Sequence, residues 1–198
     1  MAFSLAELPL PVRLRPQVPM TDEELLRFCA ANDDLRIERD KGGELILMTP
    51  AGGETGDKNS DIIADLKIWT RQDGRGRSFD SNTGFTLPDG SMRAPDAAWV
   101  DGSRWCALSK EERKSFVPLC PDFIIELRAP SDALPELEAK MEQWTGNGAQ
   151  LAWLIDPMEQ AVTIYRPGQA PEVLHHPTSV QGDGVMAGFE LVMARIWE

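Results

Sequence analysis

The chain has 198 residues, 42% of them hydrophobic and 26% charged, which is ordinary for a globular protein and enough for one domain with its own core. Its formal net charge of -12 argues against a general nucleic-acid coat, because non-specific affinity comes mainly from neutralising phosphates, but leaves room for a local basic groove. No apolar run approaches the roughly 20 residues of a membrane helix, and Pro9, Pro11 and Arg13 interrupt any signal-peptide pattern at the start. Cys29, Cys106 and Cys120 are odd in number and widely spaced, so free thiols in a reducing cytoplasm are expected rather than disulfides or a zinc site.

Residues 1–20 are rich in Pro and read as an extended N-terminal strap, with 21–198 as a single domain. Thr21 followed by Glu24 makes a capping box, and Leu25, Leu26, Phe28 and Cys29 give the short helix behind it one apolar face. "RIER" and "GELILMT" flank a Lys-Gly-Gly turn and predict a β-hairpin. The longest helical pattern is "GGETGDKNSDIIADLKIWTRQ", with Ile62, Ile63, Leu66 and Trp69 as its stripe and Gly74 as its end. Lys67, Arg71, Arg75 and Arg77 near that end read as a solvated helix terminus and turn.

Three short strands follow, around Phe79, in "TGFTL" and in "APDAAWV", and "LSKEERKSF" reads as a small charged helix. A strand in "DFIIEL", a helix through "LPELEAKMEQWT" and a strand in "AQLAWLID" form a right-handed βαβ unit with parallel strands. "AVTIYRP", a strand near Val173 and a last element ending at Trp197 complete the pattern. Interleaved hairpins and crossovers predict an α/β (α+β) fold: a central mixed β-sheet flanked by helices, with additional β-hairpins.

The costly placements lie inside this pattern. Glu126 sits in a strand that should be covered on both faces, where a charge is expensive to desolvate. Alternation places Asp122, Ile124 and Glu126 on one face and Phe123, Ile125 and Leu127 on the other. Lys140 borders the Leu134, Leu137, Met141 and Trp144 stripe of the next helix, so it must reach water or meet an acid such as Glu126. Asp96 stands among Ala94, Ala97, Ala98, Trp99 and Val100. Carboxylates converging from neighbouring strands must share a proton or hold a cation, and Mg²⁺ suits two carboxylates plus a substrate phosphate. The same residues also admit a purely structural account, in which Asp96 starts a strand, Glu126 bonds Arg128 and Lys140 reaches outward. His175 and His176 would point to opposite faces of a strand and read as a surface edge.

"APDAAWV", then "PDFIIELRAPSD", then a lysine-bearing helix resemble a large family of restriction-endonuclease-like proteins, catalogued as a domain of unknown function within the PD-(D/E)XK nuclease superfamily. The resemblance runs from about Met20 to Trp197 and includes "GELILMTPAGGETG", "NGAQLAWLIDP" and "VTIYRPGQ". It implies a restriction-endonuclease-like core with Mg²⁺, or Mn²⁺ in its place, held by Asp96 and Glu126, and Lys140 as the displaced lysine of the motif. Arg128 occupies the usual lysine position and, always protonated, can bind phosphate but not act as a base. Glu38 fits the family's early acid, with Glu54 as a rival, and Arg93 joins Arg128 as a phosphate contact. The implied activity is metal-dependent hydrolysis of phosphodiester bonds in nucleic acid, DNA by analogy; the alternative is a catalytically silent binding or assembly module. A homodimer is expected from the pairing surfaces that the strap and edge strands offer.

Overall fold

The computed structural model describes residues 11–198, so the first half of the expected strap lies outside the described residues. In its second half Val12–Leu14 (β1) pairs antiparallel with Leu45–Met48 (β3). Helix α1 (Asp22–Ala30) opens with the expected capping box, Thr21 and Glu24 exchanging hydrogen bonds. Strand β2 (Arg36–Arg39) pairs with β3 across the Gly42–Gly43 turn. With β5 (Phe85–Thr86) and β6 (Met92–Arg93) these strands form a five-stranded sheet in the order β1-β3-β2-β6-β5. Strand β6 is an element that the sequence pattern did not reveal. Its two residues carry no period and are strand only because Met92 pairs with Arg39 and Thr86.

The larger sheet has six strands in the order β11-β10-β9-β8-β7-β4. These are β4 (Gly76–Asp80), β7 (Ala97–Asp101), β8 (Phe123–Leu127), β9 (Leu151–Asp156), β10 (Ala161–Tyr165) and β11 (Glu172–His175). Only β8 and β9 run parallel, joined by α4 (Leu134–Gly146) as the crossover pattern requires. Helix α2 (Gly53–Asp73) and the small hairpin of β12 (Ser179–Gln181) and β13 (Glu190–Val192) cover one face; α4 covers the other. Gly74 ends α2 in the left-handed conformation, with φ 75°, a region that disfavours residues bearing a Cβ.

Alternation sorts the core as expected. Phe123, Ile125 and Leu127 of β8 pack with Ile62 and Leu66 of α2, while Ile124 packs with Met141 and Trp144 of α4. On the α2 face, aromatic contacts fill the middle: Trp153 stacks on Phe189 at 5.6 Å and meets Phe123 edge-on at 5.0 Å. Such pairs contribute about 0.5–1.5 kcal/mol each beyond the area they bury. His175 lies on β11, at the exposed edge of the large sheet.

One helix is displaced from its expected place. "LSKEERKSF" forms only a 3₁₀ turn at Glu112–Lys114, and the helix α3 lies earlier, at Gly102–Ala107. Ser109 and Glu112 do exchange capping hydrogen bonds, but the charged run behind them has no apolar face to bury against the core. Asp101 caps α3 by accepting the Ser103 N–H, and Trp105 packs onto Phe79 at 5.2 Å.

A Cβ at Gly76 would overlap the indole of Trp99, which is fully buried. Gly76→Ala is therefore expected to lower unfolding free energy by about 1–3 kcal/mol, as overpacking does; urea denaturation measures it, and wild-type stability would refute the close contact.

Candidate active site

The described residues include five buried acids: Glu38, Asp96, Asp122, Glu126 and Asp156. Two are satisfied by a single arginine plus backbone. Asp122 accepts from Arg104 at 2.6 Å and from the Asp101 N–H at 2.8 Å. Asp156 accepts from Arg128 at 2.6 Å and from the Met158 N–H at 3.1 Å. The other three gather at one place.

Register explains the meeting. Ala97 pairs with Ile125 in the antiparallel β7–β8 ladder, so Asp96 stands opposite Glu126, on the face that α4 covers. Asp96 lies just ahead of β7, and its Oδ2 accepts the Leu127 N–H at 2.8 Å, which fixes the carboxylate against β8. Glu126 is held from the helix side: Trp144 Nε1 donates to Oε1 at 2.9 Å, and Lys140 Nζ lies 2.9 Å and 3.1 Å from its two oxygens. The third acid comes from the smaller sheet. Glu38 of β2 reaches Lys140 at 3.0 Å, Arg93 at 2.8 Å and the Ala94 N–H at 3.2 Å.

Asp96, Glu126, Lys140 and Glu38 are thus brought together; the residue pattern points to the first three and the family resemblance to Glu38. Arg93 joins them, bonded to Glu38 and to Gln143 of α4 at 3.0 Å. Arg128 does not join: it turns to Asp156 rather than to Glu126, so its charge is already matched. Glu54 also stays apart, an exposed side chain on α2 paired with Lys58 at 3.0 Å. It lines a cleft of about 200 Å³ at the C-terminal end of β8, with Lys58, Leu127, Arg128, Met158 and Trp197.

Sequence reasoning missed Arg36. Its guanidinium sits 3.4 Å from Asp96 Oδ1 and 3.5 Å from the Ala94 carbonyl, two residues from Glu38 on the same face of β2. The signal was present in "RIER", where alternation puts Arg36 and Glu38 side by side. Nothing in the sequence said that this face would turn toward β7 rather than toward water.

The electrostatics are uneven. Burial pushes the Glu126 carboxyl up, Lys140 opposes, and the neighbouring Asp96 and Glu38 reinforce, leaving it at about 7. Glu38 is also buried, which would raise it, but Lys140 and Arg93 outweigh burial and hold it down at about 2. Arg36 is raised: burial would lower it, and Asp96, Glu126 and Glu38 outweigh that. Lys140 is raised in the same way by Glu126 and Glu38. The difference between the two glutamates follows from partners, since Glu38 has two bases and Glu126 shares one base beside two acids.

Family comparison adds a second line to this geometry. A model of the Uma2 family, described as "Putative restriction endonuclease", matches residues 22–194. The chain belongs to the Uma2 family. The fold is also similar to the crystal structure of a "putative nuclease belonging to DUF820" from Anabaena variabilis ATCC 29413. The two chains are 22% identical with a TM-score of 0.70, over 90% of this chain and 98% of that one. No functionally curated protein matches the sequence.

Among the described residues, no group of three or more His, Cys, Asp or Glu side chains is arranged to hold a metal ion by itself. Mg²⁺ does not require one, because it binds through one or two carboxylates and fills its remaining positions with water and phosphate oxygens. Asp96 and Glu126 fit that mode. They are hard oxygen donors, one just ahead of β7 and one on β8, and Asp96 Oδ1 is held only at 3.4 Å. Glu126 is raised first by burial and then by the neighbouring Asp96 and Glu38, so a cation bound there would favour its charged form.

In the metal-free protein Glu126 carries a proton in the folded state up to about pH 7 and in the unfolded state only up to its ordinary 4.5. Its contribution to stability is therefore complete below 4.5 and lost as pH rises through 7, by about 3 kcal/mol. Comparing Glu126→Gln with wild type by denaturant titration across that window should show this slope disappear; parallel curves would contradict the assignment. Lys140→Met leaves Glu38 and Glu126 without their shared base and is expected to cost about 3–5 kcal/mol, read by thermal or urea unfolding.

Proposed function

We propose that the protein is a Mg²⁺-dependent endonuclease that hydrolyses phosphodiester bonds in nucleic acid, with DNA as the substrate suggested by its family's description. The observation that carries this reading is the convergence of Asp96, just ahead of β7, and Glu126 of β8, opposite each other in register, with Lys140 against Glu126. Asp96 and Glu126 would hold the ion. When bound, Mg²⁺ supplies Lewis-acid polarisation of a water and of the scissile phosphate.

The chain's own groups prepare that site. The Leu127 N–H and the Trp144 indole N–H lock the two carboxylates in orientation, so little is reorganised during reaction. Lys140, pinned between Glu126 and Glu38, places a fixed positive charge where negative charge grows on the phosphoryl oxygens. With its proton held by two carboxylates, it serves as an electrostatic and orienting group rather than as a base. Glu38 in turn positions Lys140 and Arg93. Arg128, matched by Asp156, supports the β8–β9 end of the sheet.

A second reading has its own supporting observation. The three acids are balanced by Arg36, Arg93 and Lys140, as a self-contained ion network would be in a silent binding or assembly module. The readings separate on metal. Calorimetric titration with Mn²⁺ is expected to show binding to wild type and none to Asp96→Asn, and Mg²⁺-dependent cleavage of DNA should fall at least 100-fold in Asp96→Asn and in Glu126→Ala. Cleavage surviving both substitutions in clean preparations, or no metal binding by wild type, would favour the silent module.

A further inference from the structure

We propose that Arg36 is the phosphate-binding residue of this site, and that it becomes available when a divalent cation displaces it from Asp96. The inference rests on the nuclease reading above and concerns which base of the site contacts substrate.

Three acids, Glu38, Asp96 and Glu126, face three bases, Arg36, Arg93 and Lys140. A divalent cation at Asp96 and Glu126 adds two positive charges to an enclosed space, so one resident base must give way. The bases are held unequally. Lys140 has three contacts of 2.9–3.1 Å to Glu126 and Glu38. Arg93 bonds Glu38 at 2.8 Å and Gln143 at 3.0 Å. Arg36 has only long contacts, 3.4 Å to Asp96 and 3.5 Å to Ala94 O. It is also the most exposed of the three, its side chain 30% accessible against 16% for Lys140 and 13% for Arg93.

The geometry at Asp96 points the same way. Its Oδ2 is committed to the Leu127 N–H, so Oδ1, the oxygen that Arg36 faces, is the one open to a cation. Metal and arginine therefore compete for a single oxygen. A guanidinium released there remains anchored on β2 beside Glu38, within side-chain reach of any phosphate drawn to the metal. Its forked donors match two phosphate oxygens at once. Arg128, the arginine at the motif position, is not free for this role, because Asp156 holds it at 2.6 Å.

The test uses the full chain with two probes. Mn²⁺ titration is expected to give roughly fivefold to tenfold tighter binding in Arg36→Met than in wild type, the size of a weak ion pair that no longer has to be broken. A short DNA duplex, bound with Ca²⁺ in place of Mg²⁺ and checked intact on a gel, should bind Arg36→Met roughly tenfold more weakly, with a salt slope smaller by about one phosphate contact. Arg36→Lys should restore most of that slope. If Arg36→Met fails to fold, Arg36→Gln, which keeps hydrogen bonding to Asp96, carries the same expectations. Mn²⁺ affinity unchanged or weaker in the neutral variant overturns displacement; an unchanged salt slope overturns the phosphate contact. Metal binding that Asp96→Asn abolishes but Arg36→Met leaves untouched would sink the arginine's role and keep the nuclease reading. No Mn²⁺ binding by any of these proteins would overturn both.

Discussion

One ammonium group ties this molecule together where its two sheets meet. Lys140 of α4 sits between Glu126 of the large sheet and Glu38 of the small one, at 2.9–3.1 Å from each. A buried carboxylate without a partner is costly, and each of these glutamates depends on the same base. Helix, large sheet and small sheet therefore have one mutual arrangement that satisfies all three. The parallel β8–α4–β9 crossover makes it possible, because it returns α4 across the face from which Glu126 projects.

The five buried acids found among the described residues fall into two groups by the partners that hold them. Asp122 and Asp156 each meet one arginine at 2.6 Å and close local turns. Glu126 and Glu38 share Lys140 beside Asp96; burial first, then the two neighbouring acids, hold the Glu126 carboxyl up at about 7. All five are buried, so the difference lies in sharing: Lys140 serves both Glu38 and Glu126, whereas Arg104 and Arg128 each serve one acid.

Much of the site was legible along the chain because strands alternate. Two-residue periodicity put Glu126 on the α4 side of β8, and helical spacing put Lys140 at the edge of the stripe facing it. The family resemblance added the order of the Pro-Asp, Glu and Lys positions, and membership in the Uma2 family agrees with it. Arg36 escaped because β2 belongs to the other sheet, and a four-residue hairpin strand does not reveal which of its faces will be covered. The pairing of Glu126 with Arg128 that the structural alternative required does not form, for a related reason. Arg128 lies just past the end of β8, where the chain turns and its side chain follows the β9 end instead.

The sequence by itself determined the elements and their faces: the capping box of α1, the glycine stop of α2, the hydrophobic stripe of α4 and the alternation of β8. These depend on residues within a few positions of one another, so local spacing specifies them. It did not determine the helix at Gly102–Ala107 or the strand at Met92–Arg93, which exist through contacts with distant partners. Nor could it decide that β2 would lie against the start of β7. Only the tertiary structure brought Glu38 and Arg36 to Asp96, because strand register across two sheets is set by the packing of the whole core and not by any single segment.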